Sequence, residues 1–190
     1  MKWASWLVLA LLSCRVVPLL AQSELLLSVS DRLVTTEQLQ RGFKQEKSLP
    51  FLNRPLMSSG EFSISLDKGL LWRVTEPVVS EMTVDSYGVR LDGRSIEDAG
   101  TGELIASLMQ TFMTGDLSGI ESTFTVSGEL RGDSWHLNLR PRSLLLKSAL
   151  ERIEVDGGSF LQQLVILEKN GTVSKIRLIE PGATGHAKPH

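Results

Sequence analysis

Few side chains in this 190-residue sequence are of a type and spacing that catalysis could use. Two of the three histidines, His186 and His190, lie in a small, polar C-terminal segment, and His136 stands between Trp135 and Leu137 on the outward, solvent-facing phase of a strand. Carboxylates are scattered over polar positions and turns, with no pair inside an apolar run where burial would shift its pKa. Metalloprotease, serine hydrolase and phosphate-loop motifs are absent. The sequence therefore predicts a protein that is not an enzyme and that uses no cofactor or metal.

Large apolar side chains are the residues that could have a non-catalytic function, namely binding an apolar ligand. Placed on one face of a curved sheet, they could fill an ordinary core or line a cavity for an acyl chain. Periodicity alone favours the packed core and leaves the cavity open as an alternative. The side chains in question are Phe62, Trp72, Met82, Phe112, Phe124 and Trp135.

Period-two alternation predicts that strands position most of these side chains, each with one buried and one solvated face. Turn signals such as Asp67-Lys68-Gly69 and Asn170-Gly171 separate the strands. Further strands are predicted over residues 151–156, 160–168 and 172–180. The alternating apolar residues before them are Phe62, Ile64 and Leu66; Leu70, Trp72 and Val74; Val78, Met82 and Val84; Phe124, Val126 and Leu130; and Trp135, Leu137 and Leu139.

Helical spacing appears in three places. A short helix is predicted at Ser23, which would act as its N-cap, with Leu25, Val29 and Leu33 every four residues. A second helix is predicted over residues 101–113, ended by Gly115, and a third over residues 142–150, opened by Pro141. The stripe of the second helix is formed by Leu104, Ile105, Leu108, Met109 and Phe112.

Strands that follow strands across short turns predict antiparallel pairing, because parallel neighbours need long crossovers. A sheet of roughly ten strands tends to curl into a partial barrel. The three apolar-faced helices would then cover its concave side. The predicted class is mainly β with α, a half-open antiparallel barrel with a helical lid.

The N-terminus has the pattern of a secretory signal. Lys2 gives a positive start, residues 3–12 and 16–20 are apolar, and Ala21 suits the position before cleavage. The predicted organisation is a signal peptide over residues 1–21, one domain over 22–180 and a flexible tail over 181–190. Arg15 interrupts the apolar run, which argues against the alternative of a retained membrane anchor.

The single cysteine, Cys14, lies within this signal, so no disulfide or thiol chemistry is predicted for the mature chain. Leu11-Leu12-Ser13-Cys14 loosely resembles a lipoprotein box, and lipidation of Cys14 is an open alternative that an intact mass would decide. Of the 20 basic residues, Lys2 and Arg15 belong to the signal, which leaves 18 against 22 acidic residues. This mildly acidic balance argues against nucleic acid as a partner.

Three segments carry a family resemblance: residues 42–47 (GFKQEK), 54–62 (RPLMSSGEF) and 69–77 (GLLWRVTEP). Their F-x-Q-x-K, S-S-G-x-F and L-x-W-x-x-x-x-P patterns, in this order, resemble the outer-membrane lipoprotein carrier family, particularly its divergent carrier-like branch. The residues around Leu104 to Phe112, the 135–141 strand and the terminal hairpin agree more weakly. The resemblance covers roughly residues 24–180.

This resemblance implies a half-open barrel whose helical lid covers a hydrophobic cavity. It implies a periplasmic protein that receives acylated lipoproteins or another lipid from an inner-membrane transporter and passes them to an outer-membrane acceptor. No obligate oligomer is indicated, so a monomer is expected. By strand and helix phase, the cavity wall would be Phe43, Phe62, Ile64, Trp72, Val74, Met82, Leu104, Leu108, Phe112, Phe124 and Trp135.

The chain also departs from this family. Main-branch carriers have a lid-closing arginine just before the tryptophan strand, where Lys68-Gly69 stands here, and lysine lacks the planar fork of arginine. Met82, Met109 and Met113 would suit variable cargo because the methionine side chain adapts its shape. Two alternatives to a soluble carrier remain: an anchored lipid receptor or sensor lipidated at Cys14, and an interaction module with a filled core.

Overall fold

The protein consists mainly of antiparallel strands, most of which follow one another directly along the chain. The computed structural model describes residues 19–96 and 102–179. The predicted signal up to residue 18, including Cys14, and the predicted tail over 181–190 lie outside the described residues.

The described residues form four helices and eleven strands. The helices are α1 (Leu19–Ser30), α2 (Gly102–Thr114), α3 (Ile120–Thr123) and α4 (Leu144–Ala149). The strands are β1 (Gln38–Ser48), β2 (Leu56–Ser65), β3 (Gly69–Glu76), β4 (Ser80–Asp85), β5 (Gly88–Leu91), β6 (Arg94–Ser95), β7 (Phe124–Arg131), β8 (Ser134–Pro141), β9 (Leu150–Gly157), β10 (Leu161–Glu168) and β11 (Val173–Ile179).

The strands form one antiparallel sheet in the order β6-β5-β4-β3-β2-β1-β11-β10-β9-β8-β7. Consecutive strands pair within β1–β6 and within β7–β11, and β1 also pairs with β11, which joins the two halves at the middle. In the described chain β6 and β7 stand at opposite ends of the order and do not pair, so the sheet is not closed into a barrel. This confirms the predicted half-open antiparallel class.

Turn residues lie where the sequence predicts them. Gly69, between β2 and β3, has φ of +74°, and Gly171, between β10 and β11, has φ of +84°. Asn170 Oδ1 accepts a hydrogen bond from the Thr172 backbone N–H at 2.8 Å, which fixes the tight turn of the last hairpin. Gly115 ends α2 with φ of +72°, as predicted.

Two predicted helix starts are wrong. Ser23 lies inside α1 (Leu19–Ser30), so it is not the N-cap of this helix, and its hydroxyl donates to the Glu121 carboxylate at 3.2 Å. α4 begins at Leu144 with Ser143 as N-cap, and Pro141 is the last residue of β8 rather than the start of a helix. Ser23 has a distant polar partner that a local pattern does not contain, whereas the Ser143 cap of α4 is itself a local signal, two residues beyond Pro141.

Three further expectations differ from the structure. α4 does not help to cover the concave face, because none of its residues is buried. Leu66 lies just beyond the end of β2 and is 53% exposed, and Val78 lies in the loop before β4 and is 73% exposed. Period-two spacing overextends strands by a residue or two because it contains no signal for where pairing stops.

Gly60 allows β2 and β3 to approach each other. A Cβ at this position would lie 2.0 Å from the carbonyl oxygen of Arg73, a backbone atom that cannot move aside cheaply. We expect Gly60→Ala to lower the free energy of unfolding by about 2 kcal/mol, measured by urea denaturation. Gly119→Ala is the matched control, since a Cβ there meets nothing within 4 Å. Equal effects of the two substitutions would contradict this account.

Candidate functional site

The concave face of the sheet carries a continuous set of buried aromatic side chains. The Trp72 ring lies between two others, with ring centroids 3.9 Å from Phe43 and 5.6 Å from Phe62. Phe112 of α2 stacks on Trp135 of β8, with centroids 5.3 Å apart and planes 10° from parallel. These stacks extend from the β1–β3 half of the sheet to the β8 half. They bring the two halves of the sheet and α2 into one interior.

All of the residues predicted for the cavity wall belong to this interior. Eight of them are buried: Phe43, Phe62, Ile64, Trp72, Leu108, Phe112, Phe124 and Trp135. Val74, Met82 and Leu104 are partly buried and pack against the same cluster. Their assignment to a lipid cavity stays a prediction, because in the described conformation these side chains pack against one another.

The alternation of inward and outward residues on β8, β9 and β10 predicts further side chains in the same interior. The strands β8, β9 and β10 alternate as cleanly as β2 and β3, and their inward side chains are 0–1% exposed. The same signal that selected Trp72 could therefore have found them. The omitted interior residues are Leu137, Leu139, Ile153, Val155, Leu164 and Ile166.

α1 is attached to the sheet through polar contacts at both of its ends. The Gln22 side-chain oxygen accepts a hydrogen bond from the Val126 N–H at 2.9 Å, which satisfies a donor on the edge strand β7. Just beyond the other end of α1, Arg32 Nη2 donates to the Gly132 carbonyl at 3.2 Å. Val29 between them is fully buried. These contacts make α1 a fixed part of the fold.

α2 is attached differently. In the described chain it is hydrogen-bonded to other segments at its C-terminal end, where the Met113 carbonyl accepts from the Thr36 N–H at 3.1 Å. At its N-terminal end, Gly102 packs on Met82, and a Cβ on Gly102 would lie 3.0 Å from Met82 Sδ. The apolar face of the helix covers the middle of the sheet. α2 therefore has the arrangement of a lid, anchored at one end and held at the other by adaptable apolar contacts.

A cleft of about 310 Å³ opens beside this lid, at the turns before β3 and after β4. Ile64 of the predicted wall contributes to it, together with Leu70 and Ala106. Three carboxylates, those of Asp67, Asp85 and Glu103, also line it. Ile64, Leu70 and Ala106 also belong to the buried interior, so the cleft borders that interior beside α2.

The Asp85 carboxylate stays ionised at this cleft. Hydrogen bonds from Arg90, at 2.6 Å, and from the Tyr87 backbone N–H, at 2.8 Å, lower the pKa of Asp85 below its ordinary value of 3.8. The stabilisation from this pair is therefore present above pH 3.8 and is lost as the pH falls through the lowered pKa of the folded protein.

We expect the stability difference between the wild type and Asp85→Asn to be constant near neutral pH and to shrink in acid. Urea denaturation at a series of pH values from neutral to below 3.8 measures it. Asp133→Asn, in the exposed turn between β7 and β8, is the control. A difference that is the same at every pH would show that the Asp85 charge is not responsible.

The outer face of the sheet is polar. His136 lies on this face, as predicted, and its Nδ1 is 2.8 Å from the Asp156 carboxylate, to which Gln163 also donates. Arg73 bonds Glu81 in the same way on β3 and β4. Within residues 19–96 and 102–179, no group of three or more histidine, cysteine or acidic side chains is placed to hold a metal ion. The structure thus separates a polar exterior from an apolar interior.

No protein-family model matches this chain, and no curated protein does. Among solved structures, it is similar to a LolA superfamily protein from Nitrosomonas europaea, with 8% identity, a TM-score of 0.41, and 84% of this chain and 91% of that chain covered. It is similar to MucB with 15% identity and a TM-score of 0.41, spanning 85% of this chain and only 58% of that chain. A DUF1329 family protein from Desulfovibrio piger shows 13% identity and a TM-score of 0.35, with 87% of this chain and 94% of that chain covered.

Over the part of the chain that the structure describes, none of the helices has the length and apolar character needed to cross a bilayer.

Proposed function

We propose that this protein is a non-catalytic periplasmic carrier that encloses acyl chains of lipoproteins, or of another lipid, between its sheet and α2. The observation that carries the proposal is the unclosed sheet, whose apolar interior is covered by a helix anchored at one end. The resemblance of residues 42–77 to the lipoprotein carrier family supports the same function.

Each CH₂ group of an acyl chain that is exposed to water costs about 0.8 kcal/mol of free energy relative to a buried one. The aromatic and aliphatic surface under α2 removes that exposure without specific polar contacts, which suits cargo of variable length. Met109 and Met113, both on the buried face of α2, can adjust to different chains because the thioether side chain is flexible.

The packed interior is compatible with this role if the lid itself fills the site when no cargo is bound. Leu108 and Phe112 occupy the space against the sheet in the described conformation. A swing of α2 about Gly115 would withdraw them and expose Trp72 and Trp135 to an incoming chain. The apolar surface left by the lid is then covered by cargo, so opening costs little when a lipid is present.

The same proposal defines the partners. A carrier needs an inner-membrane transporter that delivers an acylated lipoprotein or lipid, and an outer-membrane acceptor that receives it. The protein is proposed to act as a monomer, since its travelling form must expose the lid to both partners in turn.

Titration with a fluorescent fatty acid tests the proposal. We expect saturable binding that unlabelled palmitate displaces, and at least a tenfold loss for Phe112→Asp, because a charge in the interior opposes burial of the chain. Leu108→Ser is a milder second variant if the first fails to fold, and Tyr87→Asp, on the exposed β4–β5 turn, is the control. Absence of saturable binding by the folded wild type would overturn the proposal.

A further inference from the structure

Exposed apolar side chains are concentrated at one edge of the sheet. Four neighbouring connections at this edge carry most of them: those between β1 and β2, β3 and β4, β8 and β9, and β10 and β11. We name residues 49–57, 77–79, 142–149 and 169–171 the apolar rim. Its exposed apolar side chains, 40–85% accessible, are Phe51, Leu52, Leu56, Met57, Val78, Val79, Leu144 and Leu145.

Sheet order makes the rim continuous. The four connections join strands that are adjacent in the order β4-β3-β2-β1-β11-β10-β9-β8. Pro50 in the first connection is close enough to Gly171 that a Cβ there would lie 2.9 Å from the proline ring. Lys169 donates its backbone N–H to the Ala149 carbonyl at 2.8 Å, which ties the last turn to α4. The exposed residues are therefore parts of one surface.

α4 presents its leucines outward. Ser143 Oγ accepts a hydrogen bond from the Leu146 N–H and fixes the first turn of the helix. Leu144 and Leu145 are then 85% and 81% exposed, whereas Leu146 is partly buried. Leucine side chains this exposed contribute nothing to the core, so their position is explained better by an external contact.

The charged side chains of the apolar rim are all positive. It contains the four basic residues Arg54, Arg142, Lys147 and Lys169 and no aspartate or glutamate. These four segments are therefore basic although the full chain has a net charge of −2. The Asp92 carboxylate, in the β5–β6 turn at the end of the same edge, accepts the Glu81 backbone N–H. Glu76 and Glu168 precede the rim on β3 and β10 and accept hydrogen bonds from Ser59 and Asn170.

We propose that the apolar rim docks this protein on the surface of a bilayer that contains anionic phospholipid. Large apolar side chains interspersed with lysine and arginine fit the boundary between acyl chains and headgroups, where the former enter the bilayer and the latter meet the phosphates. The rim has the two attractions that reversible membrane binding requires. It does not depend on the cargo proposed for the interior.

Vesicle flotation tests this docking. The probes are vesicles of phosphatidylethanolamine with phosphatidylglycerol, and vesicles of phosphatidylcholine alone. We expect the wild type to float with the anionic vesicles, and the binding to weaken with added salt. Phe51→Ser/Leu144→Ser/Leu145→Ser should lower the partition coefficient at least tenfold, and Arg54→Gln/Lys147→Gln/Lys169→Gln should lower it about tenfold or more on anionic vesicles alone.

The control is Tyr87→Ser/Leu130→Ser, which removes exposed apolar side chains at the opposite edge. Rim variants should retain fatty-acid binding in solution, and Phe112→Asp should retain docking, so this inference and the carrier function fail separately. The proposal is overturned if the wild type does not float, if the control loses as much binding, or if sedimentation shows a dimer that the rim variants dissociate.

Discussion

Joining α2 to β4 through a Met82→Cys/Gly102→Cys disulfide is expected to abolish fatty-acid uptake, and reduction is expected to restore it. Gly102 lies against the Met82 side chain, since a Cβ on Gly102 would lie 3.0 Å from Met82 Sδ. The bond fixes the N-terminal end of the lid, while Thr36 already holds its C-terminal end. A lid held at both ends cannot withdraw Phe112 from the interior.

The experiment uses the predicted mature chain, which has no other cysteine because Cys14 belongs to the signal. Loss of two protons in the intact mass shows that the disulfide has formed. The single variants Met82→Cys and Gly102→Cys are the controls, and both should bind fatty acid in oxidising and reducing buffer. Uptake by the oxidised double variant equal to that of its reduced form would refute the assignment of α2 as the lid.

Trp135→Ala is expected to lower the free energy of unfolding by about 3–5 kcal/mol. The side chain is 1% exposed and stacks on Phe112, and its Nε1 donates to the Gly158 carbonyl at 2.8 Å. Gly157 leaves space for the indole, because a Cβ there would lie 2.3 Å from the ring. Removal of the ring leaves a large cavity beneath the lid and an unpaired carbonyl.

Urea denaturation measures this effect, with Trp135→Phe as the comparison. Phenylalanine retains the stacking on Phe112 and loses the hydrogen bond to Gly158, so its cost should be far smaller, about 1–2 kcal/mol. If both substitutions cost the same, the hydrogen bond rather than the packing of the ring holds this part of the interior.

The sheet and the inward face of its strands could be predicted because period-two alternation is a direct consequence of the pleat. This phase places Trp72, Phe62 and Trp135 in the interior, and all three are buried there. The turn positions could also be predicted from the sequence, because glycine adopts the positive φ that is found at Gly69 and Gly171.

Helix boundaries and helix attachments could not be derived in the same way. Gln22 and Ser23 bond to Val126 and Glu121, about a hundred residues further along the chain, and no local pattern encodes such partners. Leu144 and Leu145 have the composition of a core helix, yet the cap at Ser143 and the strands on either side turn them to solvent. Composition shows that side chains are apolar but not which partner they meet.

The sequence does not distinguish a packed interior from a hollow one. The same phase places Phe43 and Leu108 inward in both cases, and the outcome depends on whether α2 fills the site or leaves it. In the described residues α2 fills the site. The proposed function requires this helix to swing away, and its described backbone hydrogen bond to another segment, from Thr36, lies at its C-terminal end.

Solvent extraction of the protein, purified from a bacterial periplasm without detergent, tests the carrier function most directly. Mass spectrometry of the extract measures bound lipid relative to protein, with an unrelated periplasmic protein as background. The account predicts acyl-bearing lipid well above this background for the wild type, and its loss in Phe112→Asp. Wild-type protein that carries no more lipid than the background protein would contradict the account.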